Sequence, residues 1–310
     1  MNAIETHGLT RNYGDLIAVK DLNLTVKPGI VYGFLGPNGA GKSTTINMLM
    51  GFIKPTAGTA SIMGFDIKAQ HREIRKITGY LPERPAFYDD LSGKGNLEFF
   101  GKLVGVEDLD GRIEELLGTV GLEGRGNDRV GTYSHGMRQR LGIAVALLGK
   151  PKLLILDEPT TGLDPQGSHD IREVIKKLKG ENVTIFLSSH ILHEVQDISD
   201  VVGIVKKGQL IVERPIEEFL RSTEGNMAVI EIAAPKFEDS QLELVKKIKG
   251  VGGVTRNNGF IDVMVDNPAL AEDINITLVG AGCRVRGIRE KMPTLEDAFL
   301  KVTAEGNVEG

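Results

Sequence analysis

The sequence predicts an α/β protein built on a mainly parallel sheet and followed by a small α+β domain. Three observations carry this. The runs "IVYGFLG", "KLLILDEP" and "VTIFLSSH" have strand length and lack the alternation of a half-exposed strand, as expected for strands covered on both faces. The last two flank "HDIREVIKKLKG", an amphipathic helical stretch, which gives the strand-helix-strand rhythm of parallel pairing. Beyond about Ser222 short strands and helices succeed one another in the order βαββαβ, a split βαβ arrangement.

Taken in order, Ile4 to Val26 alternates apolar and polar positions around "YGD" and "KD", which reads as short antiparallel strands joined by turns. "IVYGFLG" then enters a glycine-rich loop, and "GKSTTINMLMGF" has helical spacing with Ile46, Leu49, Met50 and Ile53 apolar. From about Arg72 to Gly149 the pattern is mainly helical, punctuated at "GYLPERP" and "LSGKGN". In the C-terminal part, "MAVIEIA", "GGVT", "FIDVMVD" and "CRVRGIR" read as strands, with helices at "SQLELVKKIKG" and "PALAEDINITLVG". "PTLEDAFLKV" reads as a last helix, with Pro293 and Thr294 near its start and Leu295, Phe299 and Leu300 on one face.

Composition narrows the function. A chain of 310 residues with 41% hydrophobic content suits one large or two ordinary packed domains. Its 37 Lys and Arg against 42 Asp and Glu leave a net charge of −5, with no general basic field for a nucleic-acid backbone, so no nucleic-acid partner is expected. Cys283 is the only cysteine, so no internal disulfide forms and a reducing compartment is expected. The opening "MNAIETHGLT" has neither a basic nor an apolar segment, and no apolar run approaches the roughly 18 residues of a spanning helix. The chain is expected neither to enter nor to cross a bilayer unaided.

The chemistry-bearing motifs begin with "GPNGAGKST", Gly36 to Thr44, which fits G-x-x-x-x-G-K-[ST] between an expected strand and an expected helix. Backbone N–H groups of Gly39 to Lys42 can wrap a β-phosphate, Lys42 supplies a point charge for the β- and γ-phosphates, and the Ser43 hydroxyl can ligate Mg²⁺. The plain alternative is a glycine-rich turn before a helix. "LLILDEP" ends a buried run with adjacent carboxylates at the carboxyl end of a parallel strand, where ligands bind. Successive strand residues face opposite sides, so the two acids take different tasks. Asp157 suits the metal side, and Glu158 can orient and deprotonate a water aimed at the γ-phosphate. "LSSH" places His190 at the end of a neighbouring strand, where its imidazole can converge with Glu158. Taken alone, the acids could be solvated strand-end groups and the histidine a structural hydrogen-bonder.

"YSHGMRQRLGIA" offers a hydroxyl, a close-approach glycine and a helix start suited to phosphate oxygens. Met137, Leu141, Ala144 and Leu148 recur at helical spacing, which buries one side and leaves the start exposed for a γ-phosphate held by another copy. The alternative is an ordinary capped helix, with Ser134 bonding its own first turn.

Together these motifs resemble the ATP-binding subunits of ABC transporters in identity, order and spacing. "GPNGAGKST" is similar to the Walker A loop, "YSHGMRQ" to the signature, "LLILDEP" to the Walker B strand with its catalytic glutamate, "TGLD" to the D-loop and "SSH" to the switch histidine. The resemblance covers about residues 3 to 220, and the tail is similar to the extension of a branch that powers bacterial and archaeal drug, sodium or lipid exporters. It implies an α/β P-loop NTPase core with an antiparallel β-subdomain and a helical subdomain at about 72–149, the ATP-binding domain spanning 1–222. Residues 223–310 would form a small α+β accessory domain, ferredoxin-like in its βαββαβ order and closed by a final helix.

The resemblance assigns catalysis to Glu158, His190 and Lys42, and Mg²⁺ to Ser43, Asp157 and Glu83. Nucleotide contacts fall to Gly36, Pro37, Asn38, Gly39, Ala40, Gly41, Lys42, Ser43 and Thr44, to Glu83, and to Ser134, His135, Gly136 and Asp164. Tyr13 in "RNYG" lies where the family stacks an aromatic ring on adenine. The chain departs from the common signature Leu-Ser-Gly-Gly-Gln in having His135 for a glycine, and it carries Glu83 where the Q-loop usually has glutamine. A carboxylate there accepts hydrogen bonds and cannot donate them.

The resemblance therefore implies an ATPase that forms a homodimer around ATP and works on a separate permease at the cytoplasmic face of the membrane, with Tyr80 to Tyr88 as the contact surface. Two other readings compete with it. A soluble ATPase of the same type acting on ribosomes or nucleic acid usually carries tandem cores or a long coiled-coil insertion, and neither is present. A non-hydrolysing sensor would need neither Glu158 nor His190.

Overall fold

The computed structural model describes residues 1–222, 228–257, 259–291, 294–296 and 298–299. Two compact units divide the chain between Ile216 and Glu217, the second ending at Lys301. The change of composition places the division later, after Ser222. One short helix, Ile216–Ser222, spans both positions.

The first unit opens with two long strands, β1 (Ile4–Tyr13) and β2 (Leu16–Val26), rather than several short ones. Register shifts between Thr6 and Leu9 and on to Asn12 break their alternation, which is why the pattern reads as shorter pieces. Next come β3 (Val31–Leu35), α1 (Lys42–Leu49), β4 (Ala57–Ile62), β5 (Phe65–Asp66), α2 (His71–Ile77) and β6 (Thr78–Leu81). The helical portion is α3 (Gly93–Val104), α4 (Leu109–Thr119) and α5 (His135–Leu147), with short 3₁₀ turns between the last two. The alternating section is β7 (Leu153–Asp157), α6 (Pro165–Gly180), β8 (Thr184–Ser189), α7 (Leu192–Gln196), β9 (Val201–Lys206) and β10 (Gln209–Pro215), before α8 (Ile216–Ser222).

One four-stranded sheet has the order β2-β1-β4-β5 and is antiparallel. The central six-stranded sheet has the order β10-β9-β3-β8-β7-β6, parallel except for the edge strand β10. Every residue of β3, β7 and β8 is buried, the result expected of strands covered on both faces. One core joins Leu9, Leu22 and Leu24 of the antiparallel sheet to Ile46 and Leu49 of α1 and to Phe34, Ile155 and Phe186 of the central sheet. Phe186 stacks on Tyr32 at 5.5 Å between ring centres. Each such side chain contributes about 1.5–3 kcal/mol through burial.

Two expectations change here. Thr78–Leu81 lies inside the stretch read as helical, yet it is β6, paired parallel with β7. Gly79 permits this, since a Cβ there would fall 2.2 Å from the Ala146 carbonyl oxygen of α5. The second change concerns α5, which is not buried on one side only: Leu141, Gly142, Ile143, Ala144, Ala146 and Leu147 are all buried. Its exposed part is its start.

The second unit contains β11 (Ala228–Ala233), α9 (Asp239–Lys246), β12 (Val251–Asn257), β13 (Phe260–Val265), α10 (Leu270–Gly280) and β14 (Gly287–Lys291). The order is βαββαβ, and the antiparallel sheet runs β12-β13-β11-β14. The strand read at "CRVRGIR" begins only at Gly287; Cys283, ahead of it, is buried in the core with Ile230, Val263, Ile274 and Leu278. The final helix expected at "PTLEDAFLKV" lies partly outside the described residues. Within it, the Ala298 N–H donates to the Thr294 carbonyl, a helical bond.

Candidate functional site

The carboxyl ends of β3, β7 and β8 meet at one edge of the central sheet, and the residues just past each strand build the site. After β3 the chain makes the Gly36–Gly41 loop and enters α1. Gly36 is required by proximity, since a Cβ there would sit 2.4 Å from the Val205 carbonyl oxygen. Gly41 is required by conformation as well, with φ of 101° and only 2.4 Å from an added Cβ to the Ala18 carbonyl oxygen. Gly41 offers α1 no side-chain cap, whereas Ser92, Asp108, Ser134 and Asp164 cap α3, α4, α5 and α6. The first-turn N–H groups of α1 are therefore left without a side-chain acceptor, the condition that suits a phosphate.

Lys42 is buried, and its Nζ donates to the Gly36 carbonyl at 2.6 Å and the Pro37 carbonyl at 3.2 Å. The same Nζ lies 3.1 Å from Glu158 Oε1, both side chains being under 10% exposed. Glu158 comes directly after β7 with φ of 50°, a left-handed conformation unusual for a residue with a side chain. This turn separates its tasks from those of Asp157. Glu158 Oε2 is 2.8 Å from His190 Nδ1 and accepts the Thr161 hydroxyl at 3.0 Å. Because a carboxylate only accepts, His190 carries its proton on Nδ1. Burial raises the Glu158 pKa, but the Lys42 charge and the hydrogen bonds from His190, Lys42 and Thr161 outweigh it, and the net shift is downward. Glu158 is thus held ionised.

Asp157 makes a different set of contacts: its Oδ1 accepts the Ser188 hydroxyl at 2.6 Å and the Ser43 hydroxyl at 3.3 Å. Burial pushes its carboxyl up, the two serine hydroxyls draw it down, and the charges of Glu158 and Glu83 add to the rise, so the net shift is upward. Ser43, Asp157 and Glu83 form an all-oxygen donor set of the kind Mg²⁺ prefers. Among the described residues no group of three or more His, Cys, Asp or Glu could hold a metal alone.

A cleft of about 640 Å³ gathers Tyr13, Asn38 to Thr44, Glu83, Glu158 and His190. Tyr13 is 45% exposed, and the Arg11 guanidinium covers one of its faces at 4.5 Å. Gly36 and Pro37 do not line the cleft, but their carbonyls accept from Lys42, which does. The lining also includes Thr161 and Lys207, which sequence reasoning missed. The hydroxyl of Thr161 three residues after Glu158 was the available signal for one. Lys207 sits in the β9–β10 turn, whose Gly208 N–H donates to the Ala40 carbonyl. A larger cleft of about 820 Å³, bounded by Arg75, Val106, Arg112 and Lys150, contains none of these groups.

Ser134, His135, Gly136 and Asp164 do not line the nucleotide-sized cleft of their own chain. Ser134 Oγ accepts the Met137 N–H at 3.3 Å, and Asp164 Oδ1 accepts the Gly167 N–H at 2.9 Å, so each caps its own helix. The α5 start is otherwise tied to its own core. Gln139, fully buried, donates to the Glu83 carbonyl at 3.2 Å.

A family model described as ABC transporter matches residues 19–161. The chain is 48% identical, over 98% of each chain, to the bacitracin transport ATP-binding protein BcrA of Bacillus licheniformis. It is 32% identical, over 98% of this chain and 96% of the other, to the daunorubicin resistance ATP-binding protein DrrA3 of Streptomyces coeruleorubidus. Among solved structures, cbiO1 of Clostridium perfringens, part of the ABC transporter complex cbiONQ, is 28% identical with a TM-score of 0.66, covering 73% of this chain and 93% of that one.

Proposed function

This chain belongs to the family of ABC transporter ATP-binding subunits, and from that membership we propose that it hydrolyses ATP as one half of a homodimer and drives export through a separate permease. ATP-binding subunits of this family are ATPases in general. The bacitracin transport and daunorubicin resistance relatives support drug export as the task. No helix among the described residues is long and apolar enough to cross a membrane, so the permease supplies the passage. The chain would sit at the cytoplasmic face, bound through Tyr80 to Tyr88. There Phe52 packs on Tyr80 at 5.5 Å and Tyr88 on Phe99 at 4.7 Å, with Phe52 and Tyr88 about half exposed. The relatives leave the reading on ribosomes or nucleic acid without support.

The observation that carries hydrolysis is the Glu158 carboxylate held between Lys42 and His190 at the mouth of the glycine-rich loop. Glu158 would accept the proton of a water whose oxygen bonds to the γ-phosphorus as the bond to the bridging β,γ-oxygen breaks, releasing ADP and phosphate. His190 holds the carboxylate through Nδ1–H, and only with a proton on Nε2 as well could it donate to the γ-phosphate. Ser43, Asp157 and Glu83 would hold Mg²⁺, which when bound neutralises charge on the β- and γ-oxygens. Lys42 would exchange Glu158 for phosphate oxygens as ATP enters.

The homodimer is supported by the position of Ser134, His135 and Gly136 outside the cleft of their own chain. Their helix start would close over ATP bound to a second copy. Mixing Lys42→Ala and Ser134→Ala chains should restore one complete site per heterodimer and therefore measurable ATPase activity above either variant alone. Mixtures no more active than the separate variants would refute the shared site.

A further inference from the structure

We propose that His135 is a positioning residue that ties the start of α5 to the Glu158 carboxylate of its own chain. The proposal rests on the reading of Glu158 as the base and goes beyond it, since it gives His135 a task within one protomer rather than at the other copy's nucleotide.

His135 is the first residue of α5 and is exposed. Its Nε2 lies 3.2 Å from the Thr161 carbonyl oxygen. A carbonyl only accepts, so Nε2 must carry the proton. Thr161 is also the residue whose hydroxyl donates to Glu158 Oε2 at 3.0 Å, and its N–H donates to the Glu158 carbonyl at 3.2 Å. One residue therefore holds the imidazole by its main chain and the carboxylate by its side chain. Gly162 lies beside the ring, an added Cβ there standing 3.6 Å from His135 Nε2 in ordinary contact, and its φ of 75° turns the chain. Behind the contact, Gly136 approaches Gly167 Cα at 3.6 Å from an added Cβ, so the starts of α5 and α6 are close neighbours.

The consequence is directional. Glu158 Oε2 has two donors, His190 just past β8 and Thr161 from its own turn. A shift of the α5 start displaces the Thr161 main chain, and with it the hydroxyl that aims the carboxylate. The α5 start, whose Ser134 and Gly136 would meet the other copy's nucleotide, thereby reports through His135 to the catalytic group of its own chain.

The test uses the full-length chain and a pair of side chains of similar length. His135→Gln places an amide N–H near the Nε2 position; His135→Met has no donor. ATPase kinetics should show kcat reduced roughly three- to tenfold for His135→Met with KM changed less than twofold, and for His135→Gln a kcat at least roughly threefold above that of His135→Met. Thr161→Val should show the same kcat loss, and adding His135→Met to it should produce little further loss, because both act on one path. Equal losses for Gln and Met, a rise in KM at unchanged kcat, or full additivity with Thr161→Val would each overturn the proposal. Failure of the underlying reading shows separately: Glu158→Gln with His135 intact would then turn over ATP normally, which removes the relay's target.

Discussion

Replacing Glu158 by glutamine should move affinity and turnover in opposite directions. Glu158 is the counter-charge of Lys42, 3.1 Å away in a site where both side chains are under 10% exposed. An incoming triphosphate must take Lys42 from this carboxylate and then lie beside the anion left behind. At an effective dielectric constant near 20 a unit-charge pair at this separation is worth about 5 kcal/mol, most of which is offset by the desolvation of both groups. A net gain of about 1–2 kcal/mol for ATP binding remains when the carboxylate is neutralised, equivalent to roughly 5- to 30-fold tighter binding. Turnover should fall roughly 10²- to 10⁴-fold through loss of the base. Titration with a fluorescent ATP analogue and a phosphate-release assay measure the two effects on the same preparation. Weaker binding by Glu158→Gln would show that Lys42 is not restrained by this pair, and parental turnover would remove Glu158 from catalysis.

Buried polar groups give two further tests. Asp157 has a folded-state pKa above its unfolded value, so its ionisation penalty is full above the folded pKa and absent below the unfolded one. Asp157→Asn should therefore raise the melting temperature at pH 7 by roughly 2–4 °C, the response of a domain this size to about 1 kcal/mol, with the gain fading toward pH 4 while Mg·ATP binding weakens. A less stable variant at pH 7, by calorimetry without nucleotide, would contradict this. Asn96 is fully buried, accepts the Tyr88 N–H and donates to the Tyr88 and Ser92 carbonyls, fixing the loop before α3. Asn96→Ala should lower stability by about 2–4 kcal/mol in urea unfolding, since it leaves the Tyr88 groups without their partner; a midpoint unchanged from the parent would argue against that anchor.

Much of the fold was legible because the central strands are buried on both faces, and only continuous apolar runs such as "LLILD" and "TIFLSS" meet that demand. Thr78–Leu81 was not, since a four-residue edge strand containing a glycine carries too little pattern, and the reason for Gly79 lies in distant α5. The start of α6 is also easily overlooked: Asp164 and Pro165 supply its cap and first position, while the "TGLD" motif points the same aspartate toward a nucleotide. At the candidate site, Lys42, Ser43, Asp157, Glu158 and His190 are recognisable by residue type and by their position after strands. Their pairing is not recognisable in that way. That Lys42 faces Glu158, and that Thr161 joins His135 to the same carboxylate, depends on a left-handed backbone at Glu158 that no local propensity favours.

The lone thiol of Cys283 stands 5% exposed inside the second unit's core, and burial raises its pKa. Maleimide reagents attack thiolates, so this sulfur should label slowly in the native fold. A cysteine introduced at exposed Leu103 could then accept a dye selectively without removing the native one, and energy transfer between two such chains would track their approach as ATP is added.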